Sequence, residues 1–98
     1  MTIYQFRKSV STAAGATSTA TLKIPGGICR QVLIKAATST TTFLSFITDE
    51  SNMEVARYGS QTGELDDITA IPMAGSYTVN ITNASPDDTF TIMLGVQE

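Results

Sequence analysis

The chain contains no histidine and no tryptophan, and its one cysteine is Cys29. Without histidine there is no general base to generate a cysteine thiolate, and the Ser-His-Asp arrangement is excluded outright. A single cysteine closes no internal disulfide, so the chain is not a disulfide-stapled secreted scaffold. Charge is also sparse, at 15% of residues with a net value of −3. The six basic residues, Arg7, Lys8, Lys23, Arg30, Lys35 and Arg57, form no stripe in the sequence. Nucleic-acid binding needs clustered Lys and Arg, so no nucleic-acid partner is expected. No apolar run approaches the roughly 20 residues that span a bilayer, and no membrane partner is expected. The opening "MTIYQFRKSV" has no continuous apolar core of a signal peptide, which predicts synthesis without export.

The remaining composition favours folding. Apolar residues make up 42% of 98 positions, enough for one core and one domain over residues 1–98. Threonine and serine are abundant, and β-branched threonine suits a pleated, half-buried surface. Period-two alternation dominates. Ile3 to Val10 reads as a short first strand, or residues 1–10 as an extended N-terminal arm. From Ala16 to Ile24 the even positions are apolar or small and the odd ones are Thr17, Thr19, Thr21 and Lys23. Pro25-Gly26-Gly27 is expected to end that strand, as a hairpin or inter-sheet turn.

Further strands are predicted at Ile28–Ala37, Thr41–Thr48, Met53–Tyr58 and Ile68–Pro72. The clearest are the last two, where Tyr77, Val79 and Ile81, then Phe90, Ile92, Leu94 and Val96, alternate with smaller or polar residues. "GSQTGELDD" reads as the longest polar loop, "MAGS" as a turn and "NASPDD" as a connection. Seven or eight short strands with regular turns and no helix predict an all-β antiparallel β-sandwich, jelly-roll or immunoglobulin-like.

Two strands depart from one-sided alternation. In "TTFLSFI" Phe43 and Ile47 share one face while Leu44 and Phe46 take the other. In "CRQVLIK" Val32 and Ile34 face one way while Cys29 and Leu33 face the other. A strand buried on one side alone is not apolar on both. Two explanations stand: a β-bulge or covering loop, or an outer face that meets another subunit. The second makes Cys29, Leu33, Leu44 and Phe46 interface residues, joined by Tyr4 and Phe6 if the N-terminal arm adds to a neighbour's sheet edge.

Other candidates reduce to structure. Arg30 adjoins Cys29, but neighbouring strand residues point to opposite faces, so the thiol reads as packed and inert. "PGGICR" lacks phosphate-loop spacing and no helix follows it. The acidic pairs Asp49-Glu50, Asp66-Asp67 and Asp87-Asp88 fall in predicted turns and read as solvated, with calcium, which loop carboxylates and Asn oxygens suit, as the alternative. No converging cleft for two-carboxylate catalysis is evident. Asn80-Ile-Thr82 and Asn83-Ala-Ser85 match glycosylation acceptors, which mean little without export. Tyr4, Tyr58 and Tyr77 are too scattered to define a sugar platform. No catalytic residue, metal site or cofactor is predicted, and the chain is expected not to be an enzyme.

The rhythm "TFLSFITDESNMEVARY", "GELDDITAIPMAGSYTVNITNAS", "TFTIML" resembles small β-sandwich modules and small virion proteins of tailed bacteriophages, including capsid decoration (cement) proteins and minor tail components. It covers just over half of the chain. The resemblance implies a structural role in a phage particle, made in the host cytoplasm and incorporated in the virion. The implied partners are the major capsid protein or other virion subunits, with a homotrimer as the implied oligomer. The alternative class is a carbohydrate- or surface-binding β-sandwich module.

Overall fold

The computed structural model describes residues 3–98, so Met1 and Thr2 of the expected arm lie outside it. Six strands, β1 (Ile3–Thr12), β2 (Thr17–Ala36), β3 (Thr42–Thr48), β4 (Glu54–Thr62), β5 (Glu64–Ser85) and β6 (Asp88–Gln97), form one antiparallel sheet in the order β1-β6-β2-β5-β3-β4. No helix occurs among the described residues. The all-β antiparallel expectation holds.

The strand count is lower than expected because two of the predicted breaks are bends. Pro25-Gly26-Gly27 lies inside β2, which runs for 20 residues, and Pro72 to Ser76 lies inside β5, which runs for 22. Between Ile24 and Gly27 the β2–β5 register slips. Pro25 and Gly26 are thus a bulge that turns the strand without ending it. Gly27 is required there: its φ is +145°, and a Cβ would collide with the Gln97 carbonyl and the Val96 side chain. The expected "GSQTGELDD" loop also contracts. Gly63 alone separates β4 from β5, at φ +76° with its position pressed against the Ser39 carbonyl. Asp66 and Asp67 therefore sit on a strand, not in a turn.

The first half of β2 pairs only with the second half of β5 (Thr17–Ile24 with Gly75–Thr82), while its second half pairs with both β6 and the first half of β5. β3 joins only the second half of β5, from Thr78 onward. The bends curl the sheet over its own core. Phe43 of β3 and Phe90 of β6 are separated by two strands in the sheet order, yet their rings meet edge-to-face at 5.0 Å and 66°. Around them Ile24, Val32, Ile34, Ile47, Val79, Ile81, Ile92 and Leu94 are buried. Each such side chain contributes roughly 1.5–3 kcal/mol relative to exposure.

β1 is a paired strand, the first of the two readings offered for the N-terminal segment. It is held to β6 in unbroken register from Ile3↔Gln97 to Thr12↔Asp88, and Phe6 and Val10 pack on the core.

Candidate interaction surface

Strand register decides which of the expected interface residues look outward. Cys29 does not. A bulge at Arg30 shifts the register, so that Cys29 opposes Val96 while Gln31 opposes Gly95. This extra residue breaks the two-residue parity and puts Cys29 on the same inner side as Val32 and Ile34. Cys29 is 0% exposed and belongs to the core. Burial pushes its thiol pKa up, a backbone hydrogen bond from Gln31 opposes that, and the Asp67 charge adds to the rise. The thiol is therefore held protonated and poorly nucleophilic. Arg30 is drawn away from it by Nε donating to Gln97 Oε1 at 2.8 Å.

Leu33, Leu44 and Phe46 do lie opposite the core face, each half-buried between inward neighbours. Leu33 sits between Met93 of β6 and Asp66 of β5. Leu44 neighbours Thr82, and Phe46 neighbours Asn80 and Arg57. The Arg57 guanidinium lies 4.7 Å from the centre of the Phe46 ring, and Glu54 pairs with that guanidinium. The two groups share no strand neighbour, so they are two separate outer patches. Met93 of β6 lies on the sheet face opposite that of Ile92 and Leu94. It is buried on the outer face beside Leu33. Its signal was the non-polar run Ile92–Val96, too continuous for a strand covered on one side alone.

Tyr4 and Phe6 sit together on one wall of an open groove of about 540 Å³, with Pro25, Gly26, Val96 and Glu98. Tyr4 is exposed, whereas Phe6 is half-buried against the core. Hydrogen bonding to Glu98, and then the charge of that carboxylate, raises the Tyr4 hydroxyl pKa.

Five of the six residues in the acidic pairs accept bonds from the backbone or from neighbouring side chains. Asp49 Oδ1 accepts from the N–H groups of Ser51 (2.8 Å) and Met53 (2.9 Å), and Glu50 Oε1 from that of Ser76 (2.7 Å). Asp66 accepts from the Gln31 side chain and Asp67 from the Tyr58 hydroxyl. Asp88 holds the 38–41 loop through the Thr41 hydroxyl (2.7 Å) and the Thr38 N–H (3.0 Å). Its pKa is lowered, chiefly by the Thr41 bond. Among the described residues no three His, Cys, Asp or Glu side chains are grouped to hold a metal ion.

No family model matches the sequence, and no characterised protein matches it by sequence. Solved structures match its shape. PirA superposes with a TM-score of 0.52 at 10% identity, covering 90% of this chain and 92% of that one. PliG of Aeromonas hydrophila, a periplasmic inhibitor of g-type lysozyme, gives 0.50 at 16% identity over 97% and 86%. The Yersinia pseudotuberculosis-derived mitogen gives 0.52 at 13% over 99% and 87%. At such identities the likeness defines a class, an all-β antiparallel domain, and nothing about activity. None of the three is a phage virion protein.

Proposed function

We propose that this chain is a non-enzymatic assembly subunit of a phage particle, a capsid decoration (cement) protein that bridges neighbouring capsid subunits, or alternatively a minor tail component. The observation that carries the reading is the surplus of apolar side chains outside the core. Leu33, and Leu44 with Phe46, lie half-buried on outer faces where a monomer needs only polar residues. The sequence resemblance supplies the particle, and mass action supplies the mechanism: a subunit that binds only assembled capsid stabilises it. Within this reading the curled sheet is a two-layer sandwich of jelly-roll or immunoglobulin-like type. The bends divide β2 and β5 in two, turning six strands into eight segments. The Phe43–Phe90 contact supports two facing layers.

The test is co-sedimentation of the purified chain with capsids, together with the capsid melting temperature. Binding and a raised melting temperature are expected; no binding to capsids or tails overturns the proposal. A second reading, a carbohydrate- or surface-binding module, is favoured by the groove that joins the Tyr4 and Phe6 rings to the Glu98 carboxylate. Glycan-array binding lost in Tyr4→Ala would establish it over the first.

A further inference from the structure

β1 and β6 pair so that Tyr4 opposes Val96 and Phe6 opposes Leu94. Val96 and Leu94 are buried in the core, so both rings belong to the inner side of the sheet. Side chains two residues apart on a strand share a face and stand roughly 7 Å apart. Phe6 packs on the core, but Tyr4 reaches past it and is 49% exposed. Pro25 and Gly26, at the bend of β2, complete the lining with Val96 and Glu98. A Cβ at Gly26 would meet nothing within 4 Å, so the space beside the bend is open. The groove is thus a mouth of the curled sheet, a place where β folds admit small ligands. Its volume of about 540 Å³ falls within the roughly 300–1,000 Å³ of small-molecule sites.

The chemistry on offer is narrow. Among the described residues that line the groove, Glu98 is the only charged one, and Tyr4 is the only other with a polar side chain. These two are hydrogen-bonded to each other. A neutral sugar must replace the water bonds of several hydroxyls, and it finds two side chains already joined. A hard cation such as calcium takes about six to eight oxygens and finds one carboxylate. A primary ammonium brings three N–H donors to a carboxylate that already accepts from Tyr4. A quaternary ammonium brings none. It needs a counter-charge and aromatic rings within about 6 Å of its nitrogen. A nitrogen seated between Tyr4 and Phe6 lies within that reach of both.

We infer that the groove binds a small soluble quaternary ammonium ion of the choline class, with Tyr4 and Phe6 against its methyl groups and Glu98 as its counter-charge. The Tyr4–Glu98 bond holds ring and carboxylate together before the ligand arrives, so binding has little left to order. The site lies on the opposite side of the sheet from Leu33 and Met93, which makes it independent of the assembly reading. It shares its groove, and not its ligand, with the carbohydrate reading.

The experiment is an amide NMR titration of the full chain with choline chloride. A parallel titration uses choline's neutral carbon analogue, in which a tert-butyl group replaces trimethylammonium. Choline is expected to bind in the millimolar range and to shift the amides of Phe6, Gly26 and Val96. The analogue is expected to bind at least about tenfold more weakly. Glu98→Gln and Tyr4→Leu should each weaken choline binding about fivefold to tenfold, whereas Tyr4→Phe, which keeps the ring, should change it by about twofold or less. Both positions are exposed, and circular dichroism checks that the fold stays intact. Two further probes separate the alternatives. Methyl glucoside shifting these amides while choline does not overturns this inference and leaves the carbohydrate reading standing; choline binding without glycan binding does the reverse. Phosphatidylcholine vesicles offer the same head group in a bilayer, and retention on them with no shift from free choline overturns the small-ligand assignment. No shift at tens of millimolar choline, equal binding of the neutral analogue, or unchanged affinity in both Glu98→Gln and Tyr4→Leu overturns it as well.

Discussion

The Tyr58 hydroxyl of β4 donates to Asp67 Oδ2 of β5 at 2.9 Å, tying an edge strand to a segment with which it shares no ladder. Among the described residues β4 pairs only with β3, and β3 in turn reaches only the far half of β5. The bond therefore fastens the rim of the curled sheet side chain to side chain. Removing it in Tyr58→Phe is expected to cost about 1.5–3 kcal/mol, as for a hydrogen bond to a charged acceptor. Burial first, then the bond and charge of Asp67, raise the Tyr58 hydroxyl pKa far above its ordinary value of 10.0. A raised folded pKa means that the contribution is complete below pH about 10 and is lost as pH climbs above it. Urea melts from neutral to strongly alkaline pH are the measurement. The difference between wild type and Tyr58→Phe should shrink above pH about 10, and a constant difference would refute the assignment.

The Phe43–Phe90 contact predicts a larger effect. Both rings are essentially buried, and they connect parts of the sheet that backbone pairing leaves apart. Phe90→Ala removes one ring and leaves a cavity against the other, which costs roughly 3–5 kcal/mol. Phe43→Ala should cost a similar amount. Because the two rings touch, the double variant should lose less than the sum of the single losses. Additive losses in a double-mutant cycle would show that the rings are not coupled.

Asp88 predicts acid sensitivity of one loop. Its carboxylate receives the Thr41 hydroxyl and the N–H groups of Thr38 and Thr89, so its pKa falls below the usual 3.8. A depressed folded pKa gives a contribution present above pH about 4 and lost as pH drops through the folded value. Asp88→Ala should lower the melting temperature at neutral pH, and the gap from wild type should close below pH about 4. Amide exchange at Thr38 and Thr41 should rise in the variant. Unchanged exchange there would mean that the carboxylate does not hold the loop.

The legible part of this fold is the part where one residue follows another in strict alternation. Tyr77, Val79 and Ile81, and Phe90, Ile92, Leu94 and Val96, face the core as their spacing predicts. What the spacing hides is the extra residue. Cys29 and Val32 are three apart and belong on opposite faces of a regular strand; only the bulge at Arg30 puts both inside. Nothing local in "CRQVLIK" signals that bulge, since it arises from pairing with β5 and β6. Proline with glycine likewise reads as a strand end, because the local preference for a turn is real. Here the long-range ladder on both sides of Pro25-Gly26-Gly27 overrides it. The outer-facing set was half legible. Leu33, Leu44 and Phe46 follow from parity, whereas their division into two patches depends on strand order.

That division separates assembly from folding at Leu33 and Leu44. Both are half-buried on outer faces, so a charged substitution keeps contact with water and leaves the inner core untouched. Leu33→Lys and Leu44→Lys are each expected to cost about 1 kcal/mol or less of folding stability. Their effect on association should be larger, because a contact that buries the site must strand the new charge away from water. Leu33 lies beside Met93 and Asp66, whereas Leu44 lies on the separate patch beside Thr82. Denaturant melts and capsid co-sedimentation on the two variants supply both readouts. Capsid binding lost in one variant and kept in the other would identify the face that docks. Unfolding of both variants would instead place Leu33 and Leu44 in the core.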